Sequence, residues 1–249
     1  MASPVLCNEH MSGSADSLVF RMVSGEMERL RAITDNLANS RTPGYKRTYV
    51  GQKPFDSILA NAMSADNSTT QAVDFRLGPI RVTGRALDFA INGKGFFVVE
   101  SPQGRLYTRN GMFRLLDGRI ADTAGRTVAG ESGPITVPPN VVASQISVSS
   151  DGSIGAGDVA IGKFRLVDFG ENEKELQHAG INAFQAPADI KPDAATGLTV
   201  KQSYSESSNV QMVEELVNMM MVSRLYEANM QFVTVRRDAS KSIVDLAMS

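Results

Sequence analysis

The sequence predicts an α+β chain with a long helix near each end and a mainly-β middle. Three observations predict it. Apolar residues recur at helical spacing before Asn36-Leu37-Ala38-Asn39-Ser40-Arg41-Thr42-Pro43-Gly44-Tyr45-Lys46. The end of the chain, from about Ser208 to Ala247, carries two apolar stripes. Everything between them alternates short apolar runs with glycine turns. Helices kept for the two ends are suited to bundling, with each other or with copies of the same chain.

Residues 1–16 are small, polar and patternless and are expected to form a flexible tail. The first helix is expected over 17–40, within a segment 17–47 that includes the turn. Its stripe is Phe20, Val23, Met27, Leu30, Thr34 and Leu37, at spacings of three and four. At ~1.5 Å per residue it would be about 36 Å long, and Pro43-Gly44 would stop it. Residues 48–78 read as an extended linker, with a helical turn at Phe55–Leu59 and a polar stretch from Asn61 to Gln71.

Residues 79–204 read as a β-rich domain. Leu87-Asp88-Phe89-Ala90-Ile91 alternates, and Asn92-Gly93 before Phe96-Phe97-Val98-Val99 is a hairpin signal. Gln103-Gly104, Asp117-Gly118 and Asp151-Gly152 mark further turns, while Val137-Pro138-Pro139 and Ala186-Pro187 break the ladders. Residues 205–249 hold the second helix, with Ser208 and Gln211 as a capping box. One stripe runs Met212, Leu216, Met219, Ser223, Tyr226, Met230, Val233. The other runs Val217, Met221, Leu225, Ala228, Phe232, Val235, Ala239, Ile243, Leu246. Two apolar faces need cover from more than one side. Either the helix is buried in a globular domain, or a two-helix unit packs among neighbouring subunits.

Composition excludes several classes. Among 249 residues, 25 Lys+Arg face 27 Asp+Glu, so no nucleic-acid or anionic-membrane partner is predicted. With 12 Met and no Trp, the chain has side chains suited to adaptable contacts. Cys7 is the sole cysteine, so no internal disulfide forms. Val5-Leu6-Cys7 lacks the flanks of a lipoprotein signal, and no secretory signal is read at the start. A protein of this kind destined for the outside needs another export route. No run of ~18 apolar residues occurs, so membrane insertion is not expected.

No catalytic constellation is read. His10 and His178 stand in a tail and a loop without a Cys/His cluster, so no metal or cofactor is expected. No serine near His178 has an elbow-type motif. Asn92-Gly93-Lys94-Gly95 lacks the spacing of a phosphate loop. Glu214-Glu215 reads as solvating its helix.

Three blocks in order resemble one family. Asn36 through Lys46 closely resembles the "NLAN-x-x-T-x-G-[FY]-[KR]" signature of the flagellar rod and hook family. The family's middle block is matched by Gly78-Pro79-Ile80, Thr83-Gly84-Arg85, Leu87–Ile91, Gly93–Val99 and Tyr107-Thr108-Arg109-Asn110-Gly111. Ser207-Ser208-Asn209-Val210, Glu214–Val217 and Tyr226-Glu227-Ala228-Asn229 are similar to its C-terminal block. The likeness covers roughly residues 18–248. Residues 1–16 precede the usual family start, and Tyr45 stands where Phe is commoner. Gly133–Pro138 and the ending Leu246-Ala247-Met248-Ser249 look most like a proximal-rod subunit. A distal-rod subunit is the alternative, usually longer and with an insertion not seen in 48–78.

The resemblance implies a structural, non-enzymatic part of the bacterial flagellar basal body, in a rod that crosses the periplasm and transmits torque. It implies export through the flagellar type III apparatus without a cleaved signal, and rod subunits, copies or adjacent proteins, as partners. The terminal helices would form a coiled-coil-like inner domain and the β-rich middle an outer one. Asn36, Leu37, Ala38, Asn39, Thr42, Pro43, Gly44 and Tyr45 are the assembly motif. The asparagines would bond backbone where the helix ends, and Gly44 would turn the chain at positive φ. Phe20, Val23, Met27, Leu30, Met212, Leu216, Val217, Met219, Leu225, Tyr226 and Phe232 are the expected helix-packing positions. Head-to-tail contacts of this kind build open filaments. The rival of another class is a peptidoglycan-acting enzyme.

Overall fold

The structure, a computed structural model, describes residues 23–51, 71–102, 104–157 and 159–248. Its described elements are a helix over 23–38 (α1), nineteen short strands (β1–β19 in chain order), two short 3-10 helices (Ala143–Gln145 and Gly170–Glu175) and a helix Met212–Met248 (α2). The strands β1 (Thr48–Val50) and β2 (Gln71–Val73) pair as a two-stranded sheet. The chain divides into two compact units. One holds residues 1–37, 48–72 and 212–249; the other holds 38–47 and 73–211.

The second unit is built on a ten-stranded sheet. Its main path runs β15 (Gln177–His178), β16 (Ala183–Gln185), β6 (Gly104–Thr108), β5 (Phe96–Ser101), β9 (Thr127–Gly130), β8 (Arg119–Ala121), β7 (Arg114–Leu116). The pairings are antiparallel, with Phe97 opposite Thr108 and Val99 opposite both Leu106 and Val128. β10 (Gly133–Pro134), β14 (Leu166–Asp168) and β17 (Asp193–Ala194) attach at its side. A three-stranded sheet is made by β11 (Ile146–Val148), β12 (Ser153–Ala156) and β13 (Val159–Lys163). Two ribbons complete the unit: β4 (Phe89–Asn92) with β18 (Thr199–Gln202), and β3 (Ile80–Val82) with β19 (Tyr204–Glu206).

The run Phe96-Phe97-Val98-Val99 explains where the core lies. Successive side chains of a strand point to opposite faces. Phe97 and Val99 enter one apolar cluster with Phe89, Phe113 and Phe164. Phe96 and Val98 enter a second with Tyr107, Phe169 and Phe184. Strand β5 therefore divides two cores, which is why its apolar run is continuous. The rings meet largely edge to face, as in Phe97–Phe164 at 5.4 Å and Tyr107–Phe169 at 4.8 Å.

Local signals fared unevenly. Asp117-Gly118 forms the β7–β8 hairpin, with φ of 49° and 71° and Leu116 opposite Arg119. Both positive φ values fit the twist of the flanking strands. Asn92-Gly93 does not form a hairpin. Strand β4 pairs with β18, and β5 lies in the large sheet, so the turn passes the chain between sheets. Residues Leu87 to Ile91 are all buried, without alternating exposure. Thr48–Val50 and Gln71–Val73 are strands, while the expected turn at Phe55–Leu59 lies outside the described residues.

The expected pair of long terminal helices in a coiled-coil-like inner domain is corrected. Among the described residues, helix α1 covers 23–38, about 24 Å. Helix α2 has 37 residues and is about 55 Å long. A coiled-coil seam buries its apolar positions, but Met212, Leu216, Val217, Leu225 and Phe232 of α2 are exposed among the described residues. Along α1 the buried positions are Glu26, Ala32, Ile33 and Asn36, while Met27 and Thr34 are exposed. Phe20 lies outside the described residues, Val23 and Leu30 are half-buried, and Glu26 pairs with Arg29 at 3.0 Å.

Helix α2 starts at Met212, so Ser208 is no helix cap; its Oγ accepts from the Val210 N–H. Glu214 is exposed, but Glu215 is fully buried and does not solvate the helix. Met212, Leu216, Val217, Leu225 and Phe232 are exposed, while Met219 and Tyr226 are half-buried. The half-buried positions Val222, Tyr226, Asn229, Val233 and Arg236 follow a spacing of three and four.

Replacing Phe164 by Ala should cost about 3–5 kcal/mol in chemical denaturation, because its ring is enclosed by Phe89, Phe97 and Phe113. Phe232→Ala, at a position 62% exposed, should stay within about 0.5 kcal/mol of the parent in the same measurement.

Candidate functional site: a buried ionic clasp

The turn after α1 is held by paired amides. Asn36 is buried, and its side chain binds both backbone groups of Thr48. The Thr48 N–H donates to Oδ1 at 2.9 Å, and Nδ2 donates to the Thr48 carbonyl at 2.7 Å. Only an amide offers a donor and an acceptor at that spacing. Leu37 is half-buried and Ala38 exposed. The Asn39 carbonyl accepts from the Thr42 N–H at 3.0 Å, and its Oδ1 accepts from Thr42 Oγ1 at 3.2 Å. Thr42 and Pro43 are half-buried. The buried Tyr45 ring lies 6.4 Å from the imidazole of His178, which stands in strand β15 and not in a loop.

Gly44 has φ +68°, and a Cβ there would collide with the backbone of Arg109 and Asn110. Its N–H donates to the Glu206 carbonyl at 2.8 Å. Glycine is required twice over, by handedness and by space.

Beyond Gly44 lies the clasp. Lys46 and Glu206, 160 residues apart, have side chains with 0% exposure and meet at 2.6 Å. Lys46 Nζ also donates to the Arg76 carbonyl at 2.7 Å, and Glu206 Oε1 accepts from the Gly78 N–H at 3.0 Å. Arg109 Nη1 stands 3.6 Å from Glu206 Oε2. The Arg109 guanidinium donates to the Gly93 carbonyl at 2.8 Å and lies 5.3 Å from the Phe96 ring centroid. One carboxylate thus faces two cations, and carbonyls with an aromatic face accommodate the second.

Burial pushes the Lys46 ammonium below its ordinary pKa; Glu206 opposes this, Arg109 adds to it and Asp74 opposes it. Burial likewise lowers Arg109, against the attraction of Glu206, Glu173 and Asp168. Burial, then Asp168, pushes the Glu173 carboxyl up against Arg109, Lys94 and Lys46. Burial acts to raise Asp74, but hydrogen bonds from Arg76 outweigh it and hold its carboxyl low.

Asn209 closes the arrangement. Its Oδ1 accepts from the Arg47 N–H at 2.7 Å, and Nδ2 donates to the Asp74 and Arg76 carbonyls at 2.8 and 3.1 Å. The Asp74 N–H donates to the Arg47 carbonyl at 2.8 Å. Among the described residues no group of three or more His, Cys, Asp or Glu could hold a metal ion. The cluster's partners are its own chain, and what it does is fix backbone segments to one another.

The three sequence blocks converge here: Gly44 and Lys46 from the first, Gly78 and Arg109 from the second, Asn209 from the third. Sequence reasoning missed Glu206, Asp74 and Arg76. The available signal for Glu206 was weak, a single acid in the polar run Gln202-Ser203-Tyr204-Ser205-Glu206-Ser207.

Lys46→Met should cost about 3–5 kcal/mol in urea unfolding, because it leaves the fully buried Glu206 carboxylate with only the Gly78 N–H and the more distant Arg109. The double variant Lys46→Met/Glu206→Gln should cost less than the two single changes summed. Gly44→Ala should cost more than about 1 kcal/mol by the same measurement.

The family described as "Flagellar hook protein FlgE/F/G D1 domain" matches residues 90–156, and "Flagellar basal body rod FlgEFG protein C-terminal" matches 201–246. The flagellar basal-body rod protein FlgF of Caulobacter vibrioides is 28% identical, covering 87% of this chain and 90% of its own. The rod protein FlgG of Buchnera aphidicola subsp. Schizaphis graminum is 31% identical, with coverage of 80% and 86%. FlgF of Salmonella typhimurium is 30% identical, with coverage of 82% and 86%. The chain therefore belongs to the flagellar rod and hook family and is a structural subunit of the basal-body rod.

Proposed function

We propose that this chain is a proximal-rod subunit that assembles with copies of itself and adjacent rod proteins into the axial structure that transmits torque. The type III export apparatus of the flagellum delivers it. The observation that carries the assembly reading is the exposed apolar surface of α2. Met212, Leu216, Val217, Met220, Met221, Leu225, Phe232 and Val235 are all exposed on one helix. An apolar surface of that extent is the mark of an interaction surface. Neighbouring rod subunits are its natural cover, and Met side chains adapt to unlike neighbours. The motif residues Asn36 to Tyr45 act by holding the turn on which the helical segment depends.

The proximal assignment draws on Gly133–Pro138, where β10 pairs with β9 and buries Ile135 and Val137. It also draws on the short stretch 48–78, which carries no added insertion.

Deleting the gene and imaging the remaining basal bodies tests this reading. Loss beginning at the proximal rod is expected, with return of rods on complementation. Loss confined to the distal rod would move the assignment to the distal subunit, and intact rods would remove a rod role altogether.

A further inference from the structure

The chain passes between its two compact units at four places: 37/38, 47/48, 72/73 and 211/212. Three of these passages stand beside residues that Asn209 joins. Arg47 precedes the second, Asp74 follows the third closely, and Asn209 itself stands just before the fourth. One side chain binds all three, through the Arg47 N–H and the Asp74 and Arg76 carbonyls. The direct bond from the Asp74 N–H to the Arg47 carbonyl, 2.8 Å, reinforces the link.

We propose that Asn209 is a positioning residue that ties three segments of the second unit, at Arg47, at Asp74 to Arg76 and at its own position, so that force carried by any one of them is shared by all three. This deepens the rod reading above and rests on it. The physical reason lies in backbone freedom. A single strand of chain turns about φ and ψ and resists twist poorly. Three segments tied to one another cannot turn independently. Asn209 suits the task because its amide supplies one acceptor and two donors at once. An aspartate keeps the acceptors and loses both donors, and alanine loses everything. The partners Arg47 and Asp74 lie 162 and 135 residues away in sequence, so the tie is tertiary and not a local turn.

The test uses the full chain with Asn209→Asp and Asn209→Ala, each also expressed in the gene-deletion strain. Amide hydrogen exchange at Arg47 and Asp74 should accelerate by about tenfold in Asn209→Ala, and at Asp74 but less at Arg47 in Asn209→Asp, which keeps the acceptor for the Arg47 N–H, while amides of β5 keep their protection. In cells, hooks per cell should match the parent. Rotation of tethered cells should match it at low viscosity and fall below it at high viscosity. Unchanged exchange at Arg47 and Asp74 in Asn209→Ala would overturn the proposal, as would parental rotation at high viscosity. A loss of hooks parallel to the loss of motility would also overturn it, because Asn209 would then act in assembly. Failure of the parent reading shows separately, as intact rods in the deletion strain itself.

Discussion

The pair Lys46–Glu206 is the interaction on which the described architecture turns. Both side chains are removed from water, so each charge carries a desolvation cost that only close geometry offsets. The geometry is close: one carboxylate oxygen takes the ammonium at 2.6 Å and the Gly78 N–H at 3.0 Å. An apolar contact between the same segments would tolerate sliding. A buried ion pair with its remaining donors bound to named carbonyls does not, because any displacement leaves a charge unmatched. Register along residues 44–47, 76–78 and 205–209 is thereby set at one point.

That point is supported by a scaffold of ordinary packing. Strand β5 separates two apolar clusters, and Arg109 emerges beyond β6 where the Phe96 ring and the Gly93 carbonyl receive it. The clasp thus depends on the aromatic core for the placement of its second cation. Helix α2 follows another logic. Its apolar side chains are largely exposed, and its turns satisfy backbone hydrogen bonds without burying the stripe. One part of the chain is stable through what it encloses, and the other offers surface to what it meets. A subunit that must stay folded while meeting other rod components needs both kinds of segment.

Local chemistry was legible where it did not depend on a distant partner. Asp117-Gly118 announced its hairpin because two positive φ values suit that turn wherever it occurs. Asn92-Gly93 carried the same signal and misled, because β18, more than a hundred residues later, takes the place that a hairpin partner would have filled. Ser208 resembled a cap but binds Val210 in a turn before the helix begins. The first helical stripe reads cleanly in sequence, yet the buried face of α1 runs through Glu26, Ile33 and Asn36. Polar groups bind specific partners, so they occupy buried positions that a hydrophobicity pattern assigns elsewhere.

By itself, the sequence determined the β-rich middle, the C-terminal helix, the turn at Gly44 and the family to which the three blocks belong. These follow from short-range rules: side-chain period, glycine's access to positive φ, and motif spacing. Tertiary structure decided that the blocks meet, that Lys46 chooses Glu206, that Asn209 binds Arg47 and Asp74, and that the apolar stripes of α2 stay largely exposed. The reason is that a charge or an amide specifies the kind of partner it needs but not its position in the chain. Only the folded path brings residue 206 to residue 46.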